Sequence, residues 1–413
     1  MNKPQTLKGF RDFLPASAIK RQFVIGKIKG VFERFGFDPL ETPALEYAET
    51  LLGKYGDEAD KLMYLFKDRG GRRIGLRYDQ TVPASRVVAQ YQQELPTPFK
   101  RYQIQPVWRA ENTQKGRFRE FLQCDADIFG SSSPLADAEI ITLAGNILQA
   151  LGVNKYSILL NDRQLFNKII ENGIIKEEEQ LPAVLRSLDK IQKIGEEGVI
   201  KELRDKGFSP DAAVAILKNA KTMRENNHLI KIIEACSNMG EAKLLFSPNL
   251  ARGLDYYTST IFEVEIEGYG AGSICGGGRY DKLIGGFTGN NVPAVGFAFG
   301  FDRLVEALDQ LSLLPAAPTA TSVLVTVFSE ELLPKSLALA SRLRSEGMNT
   351  EVFLETSKLE KQLKYADKKG IPFVIIQGPD EISRAVVQLK TLATQQQEEL
   401  SLDALIEQLT TKN

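Results

Sequence analysis

The sequence predicts an α+β fold that carries an inserted helical segment and ends in a small α/β domain. Three observations support this. Residues 1–164 mix helix-type stretches such as RQFVIGKIKGVFERFG with strand-type ones such as RRIGLRYD and KRYQIQPVW. Residues 165–246 change character: they are rich in Lys and Glu, almost free of aromatics and helix-periodic, as in VIKELRDKG, and Ser209 followed by Pro210 marks a helix start. Residues 247–312 return to strand and glycine character. The stretch LSLLPAAPTATS then supplies proline without charge, making 313–320 the expected linker. In 321–413, SVLVTVF, EVFL and FVIIQG read as short buried strands separated by two helices that end at Gly347 and Gly370, which predicts a largely parallel sheet.

The totals narrow the function. A chain of 413 residues makes about two or three domains. No run reaches the roughly 18 apolar residues of a membrane span, and MNKPQTLKGF lacks the apolar core of a secretion signal, so a cytoplasmic location is expected. Cys124, Cys236 and Cys275 are too dispersed for a disulfide framework or a zinc site. A net charge of -1 means that any nucleic acid must be met by local basic patches. The single histidine, His228, reads as a surface helix residue, which nearly excludes a His-dependent base, a His-based triad or a multi-His metal site. Chemistry is left to Arg, Glu, Asp, Tyr and bound ions.

The densest local charge is RAENTQKGRFREF, residues 109–121, and its flanks have strand parity. Tyr102, Ile104, Pro106 and Trp108 form an apolar set opposite Arg101, Gln103, Gln105, Val107 and Arg109. On the return, Leu122, Cys124, Ala126 and Ile128 oppose Phe121, Gln123, Asp125 and Asp127. An antiparallel hairpin therefore has one packed face and one polar face. That polar face is either solvated, as is common in antiparallel sheets, or a binding surface in which Phe121 and Phe129 offer flat platforms.

The glycine tract GYGAGSICGGGRYDKLIGGFTG, residues 268–289, contains neither a P-loop nor a dinucleotide fingerprint, so its glycines permit close backbone approach or turns. Arg252 precedes the strand-like TIFEVEI. Arg303 lies in AVGFAFGFDRLVEAL, where Leu304, Val305, Leu308 and Leu311 have the spacing of a half-buried helix. Three separated arginines, Arg109, Arg252 and Arg303, suit planar recognition of phosphate.

With these stretches in view, the chain resembles the histidyl-tRNA synthetases, a family of class II aminoacyl-tRNA synthetases, over nearly its whole length. KGFRDFLP (8–15) resembles the N-terminal signature, and FGFDPLETPALEYAE (35–49) resembles motif 1, with Pro43 at the expected dimer interface. VWRAENTQKGRFREF resembles motif 2 and AVGFAFGFDRL motif 3. More specific still, ARGLDYYTS (251–259) and CGGGRYDKL (275–283) are similar to the two histidine-enzyme signatures. RYDQTVP and QCDADIFG look like the archaeal and eukaryotic branch, since many bacterial members have Glu where Asp79 and Asp127 stand. Ser259 departs from a frequent Gly.

The resemblance implies an antiparallel class II sheet flanked by helices, a helical insertion near the acceptor arm of tRNA, an anticodon-binding C-terminal domain and a homodimer. It implies that histidine and ATP, with Mg2+ on the phosphates, give histidyl-adenylate, whose histidine passes to tRNA. Arg109 and Arg252 would clamp the α-phosphate. Glu111 would meet the adenine amino group, Phe121 the adenine face, Arg117 the outer phosphates and Arg303 the γ-phosphate. Asp79, Thr81 and Gln123 would take the α-amino group, and Asp127 and Tyr257 the imidazole, with Tyr256 in support and Arg252 bordering the same pocket. No protein side chain is assigned to the metal. In the C-terminal domain, Lys358, Lys361, Lys364 and Lys368 share one side of a helix, either solvated or facing RNA. Two other readings stand beside this one: a histidine-sensing regulatory paralogue and a ligase for another amino acid.

Overall fold

The computed structural model describes residues 3–55, 60–112, 117–241 and 243–412. The chain divides into two compact units, Met1–Asp12 with Val24–Leu313, and Phe13–Phe23 with Leu314–Asn413.

The strands of the larger unit are β1 (Asp38–Pro39), β2 (Leu45–Tyr47), β3 (Leu65–Lys67), β4 (Arg73–Leu76), β5 (Phe99–Trp108), β6 (Glu120–Phe129), β7 (Tyr156–Asp162), β8 (Leu244–Phe246), β9 (Thr260–Ile266), β10 (Cys275–Arg279) and β11 (Ala294–Gly300). They form an eight-stranded sheet in the order β1-β5-β6-β11-β10-β9-β7-β8, and a small sheet β2-β4-β3. The large sheet is antiparallel except at its edges, where β1 runs parallel to β5 and β8 to β7. This is the class II architecture that the resemblance implies.

The helix Pro134–Ala150 packs on the apolar face of this sheet. It starts where Ser133 accepts the Leu135 N–H at 3.2 Å, with Pro134 in the first turn. Arg279 at the end of β10 forms a buried ion pair with Asp137 of that helix. Two patterned residues behave differently from expectation. Leu304 and Leu308 are buried with Phe301 and Ala307, but Val305 is only partly covered and Leu311, beyond the last turn of the helix Phe301–Gln310, is exposed.

Residues 165–246 contain the helices Leu181–Leu188, Ile191–Asp205, Pro210–Lys221 and Asn227–Asn238, the third capped by Ser209 at 3.2 Å from the Ala212 N–H. The apolar run Leu244–Phe246 is a strand rather than helix, because it extends the large sheet beside β7. His228 is half-buried instead of lying free on the surface: its Nε2 is 3.0 Å from the Thr260 hydroxyl. All three cysteines are buried and unbridged. No helix among the described residues is long and apolar enough to cross a membrane.

The smaller unit holds β12 (Val323–Val325), β13 (Thr350–Val352), β14 (Phe373–Ile376), β15 (Val386–Thr391) and β16 (Gln397–Ser401), in the order β13-β12-β14-β15-β16. The first three are parallel, as expected, but β14, β15 and β16 pair antiparallel, so the sheet is mixed. The polar tract around Gln397 conceals that hairpin, whose second strand is mostly exposed. Gly347 and Gly370 end their helices at φ of 80° and 75°. The Gln362 amide bonds both the N–H and the C=O of Val327, at 2.9 and 2.8 Å, and so fastens the helix Leu359–Lys369 to the segment that follows β12. Lys358, Lys361, Lys364 and Lys368 are all exposed. Lys361 and Lys364 are paired with Glu355 and Glu360 at 3.0 and 2.6 Å.

Candidate active site

The β5–β6 hairpin forms in the register that parity requires, with Arg101 opposite Asp127, Gln103 opposite Asp125, Gln105 opposite Gln123 and Val107 opposite Phe121. Its polar face is not solvated, because Arg101, Gln103, Gln123, Asp125 and Asp127 are all buried. The connection closes with the Arg109 N–H donating to the Arg119 carbonyl at 2.9 Å. Residues 113–116 of the charged stretch lie outside the described residues.

Neighbouring strands leave room over that face. β11 sets Gly296 beside Asp127, Ala298 beside Asp125 and Gly300 beside Gln123. β10 sets Gly276 and Gly278 beside Ala298 and Gly296. These small residues strip the sheet of side chains and leave an open floor. The approach is close: a Cβ at Gly276 would strike the Arg252 guanidinium, and one at Gly296 the Asp127 carboxylate.

Above the floor lies a cavity of about 540 Å³. Arg109, Glu111, Arg117, Phe121, Arg303, Asp79, Thr81, Gln123, Asp127, Arg252, Tyr256 and Tyr257 all line it. Phe129 does not serve as a platform. It is buried beyond the cavity, against Phe99 and Tyr280, with ring centroids 6.2 and 6.3 Å away.

The cavity wall is rich in guanidinium. Arg109 donates from Nε to the Tyr78 carbonyl at 3.2 Å and lies 4.3 Å from the Tyr78 ring centroid and 5.1 Å from that of Phe121. Such stacking fixes a planar cation while leaving its edge free for an anion. Arg303, in the first turn of its helix, donates to the Ser273 carbonyl at 3.1 Å. Arg117 pairs with Glu111 at 3.2 Å, and Arg11 of the KGFRD stretch pairs with Asp302 at 2.9 Å. Arg252 adopts φ 49°, uncommon outside glycine, and pairs with Glu263 of β9 at 2.7 Å. Burial opposes its charge, but Tyr257, Glu263 and Asp189 outweigh burial and hold its pKa above the ordinary value.

The same wall carries carboxylates and phenols. Asp79 accepts the Tyr55 hydroxyl at 2.8 Å and the Val82 N–H at 3.1 Å, so one carboxylate both caps the helix Thr81–Gln90 and faces the cavity. Asp127 accepts the Tyr280 hydroxyl on Oδ1 and forms an ion pair with Arg101 on Oδ2. Burial raises both acids. Val82, Tyr55 and Arg109 oppose the rise at Asp79, and Arg101 and Tyr280 oppose it at Asp127. The Tyr256 ring packs 4.8 Å from Tyr257 and 5.7 Å from Tyr280.

Several lining or supporting residues have no role assigned by motif or parity: Arg101, Tyr55, Tyr280, Glu263, Arg186 and Asp189. Arg101 had a signal in its odd position on β5. Tyr280 stood inside CGGGRYDKL. Nothing local marks Tyr55 or Asp189, which reach the site only through tertiary folding.

The arrangement can hold a polyanion that carries a flat group and N–H donors. A family model for histidyl-tRNA synthetase matches residues 9–304, and one for an anticodon binding domain matches residues 322–412. The chain belongs to the histidyl-tRNA synthetase family. A histidine–tRNA ligase of Rhodopirellula baltica is 40% identical over 98% of both chains. The crystal structure of histidyl-tRNA synthetase from Nostoc sp. PCC 7120 superposes over 100% of both chains, with a TM-score of 0.85 and 30% identity. A Bacillus halodurans structure titled as an ATP phosphoribosyltransferase regulatory subunit/histidyl-tRNA synthetase covers 88% of this chain with a TM-score of 0.71. At 22% identity it shares the fold alone.

Proposed function

We infer that this chain is a histidine–tRNA ligase and that the cavity is where it activates its amino acid. Histidine and ATP give histidyl-adenylate and pyrophosphate, and the histidyl group then passes to the 3′ end of its tRNA. The observation that carries the siting is that Arg109 and Arg252, from distant parts of the chain, line one cavity together with Asp127 and Tyr257.

The first step needs no base. The substrate carboxylate is already ionised at neutral pH and is itself the nucleophile. Its attack on the α-phosphorus gathers negative charge on oxygen, and fixed guanidinium donors in a water-poor site stabilise that charge at little reorganisation cost. Arg109 and Arg252 have that role. Phe121 packs on the adenine and Glu111 takes its amino group, which requires Glu111 to exchange its contact with Arg117. Arg117 and Arg303 then serve the outer phosphates. Asp79, Thr81 and Gln123 take the α-amino group, and Asp127 and Tyr257 the imidazole beside Tyr256. A rival lacking ring N–H groups leaves the remaining acceptor site of the buried Asp127 without a donor, which supports rejection of roughly 10⁴-fold or more.

Mg2+ would neutralise phosphate charge. Glu263, lining the cavity beside Arg252, suits an ion held by one or two carboxylates and substrate oxygens. Residues 321–413 bind the anticodon and 165–246 approach the acceptor arm. Motif 1 around Pro43 forms a homodimer, and the enzyme works in the cytoplasm.

Histidine-dependent exchange of pyrophosphate into ATP, followed by charging of tRNA, tests this reading. Asp127→Ala should abolish most histidine activation while leaving ATP affinity within about twofold, since truncation removes an amino-acid contact made in the transition state. Equal losses for both substrates would take Asp127 out of the pocket.

A further inference from the structure

Asp127 has both carboxylate oxygens engaged within the protein, by Tyr280 and by Arg101. Arg101 is fully buried, stands directly across the β5–β6 ladder from Asp127 and donates from Nη1 to Gln103 at 3.2 Å. The charged and titratable groups that face Asp127 come from every side of it: Arg101 from β5, Tyr280 after β10, Asp79 from the turn before the helix Thr81–Gln90, and Asp125 on its own strand. β11 presents Gly296. Three carboxylates therefore share a buried wall; Arg101 is the cation paired with Asp127, while Arg109 acts on Asp79 and Asp125 and Arg77 on Asp125. Burial raises all three, and Asp125, neither of whose oxygens has a hydrogen-bond partner among the described residues, stands well above the ordinary range. Like charges so placed favour protonating one of the set, unless a cation fixes which acid stays ionised.

We propose that Arg101 is a positioning residue for histidine selection: its ion pair keeps Asp127 an aimed anion, so that the pocket accepts an imidazole N–H. The guanidinium lies beside the fully buried Oδ2 and the phenol donates to Oδ1, so Oδ1 is the oxygen left to accept from the cavity. The proposal rests on Asp127 meeting the imidazole.

The test compares Arg101→Met, Arg101→Lys, Asp127→Asn and the double variant Arg101→Met/Asp127→Asn, reading KM for histidine and for ATP in pyrophosphate exchange between about pH 6 and 8.5. Without its cation Asp127 titrates higher. Were its pKa to reach one unit above the assay pH, about a tenth would stay ionised, so Arg101→Met should raise the histidine KM about tenfold. The ATP KM should hold within about twofold. The ratio of variant to parent histidine KM should grow as pH falls, because an acid of raised pKa loses its charge on the acid side. Taking the ratio cancels the titration of free histidine. Arg101→Lys should restore most of the affinity. A pH-independent ratio, or equal rises for both substrates, would reduce Arg101 to packing and overturn the proposal. Should Arg101→Met fail to fold, the double variant decides: a histidine KM equal to that of Asp127→Asn supports the proposal, and one markedly higher overturns it. If Asp127→Asn itself leaves the histidine KM unchanged, the assignment of Asp127 to the imidazole fails first.

Discussion

Arg252 combines backbone strain with a half-buried charge. It holds a left-handed backbone, which costs of order 1–3 kcal/mol, and its guanidinium is tied to Glu263 over the Tyr257 ring. Such a conformation persists only where surrounding structure enforces it, and here that structure surrounds the cavity. Arg252→Gln should lower the exchange rate by about 10²- to 10³-fold while the urea midpoint moves little, a result read by running both assays on the same preparation. A loss below tenfold would remove it from the phosphate clamp. At this scale Asp127 and Arg109 were legible because motif and strand parity agreed on them. Their partners were not. Period two says which face a side chain occupies, but not what covers that face, so Arg101 read as part of a polar surface until the fold buried it.

At the scale of elements, the glycine strand β10 does two jobs on its two faces. Gly276 opens the floor of the cavity and Gly278 lets the Tyr257 ring close in on it, whereas a Cβ at Gly277 would meet the Gly296 carbonyl and the Phe262 ring on the packed side. Gly277→Ala should therefore cost about 1–3 kcal/mol in urea unfolding, since backbone cannot yield as a flexible side chain can. Gly276→Ala displaces the Arg252 guanidinium instead, and should depress exchange more than stability. The reverse pattern would contradict the assignment of faces. The sequence tract showed glycine without showing the register that sorts it, because pairing with β11 and β9 is non-local. Leu244–Phe246 and the β15–β16 hairpin escaped notice for a related reason: a three-residue apolar run and a polar tract become strands only when a sheet edge is present to receive them.

For the whole molecule, activation and tRNA recognition should separate. The cavity residues belong to the larger unit and the exposed lysines Lys358 and Lys368 to the smaller. Reversing those two charges should leave pyrophosphate exchange unchanged, weaken tRNA charging, and lower the salt slope of tRNA binding by about 2, one for each phosphate no longer neutralised. An unchanged salt slope would place both lysines in solvent. On the proposed mechanism, activation depends on two arginines meeting at one phosphorus. The most direct measurement is a crystal structure of the enzyme with histidine and a non-hydrolysable ATP analogue. Arg109 and Arg252 should both lie within hydrogen-bond range, about 2.7–3.2 Å, of oxygens on the same α-phosphate, with the imidazole against Asp127. A nucleotide held by only one of them, or histidine seated away from Asp127, would contradict it.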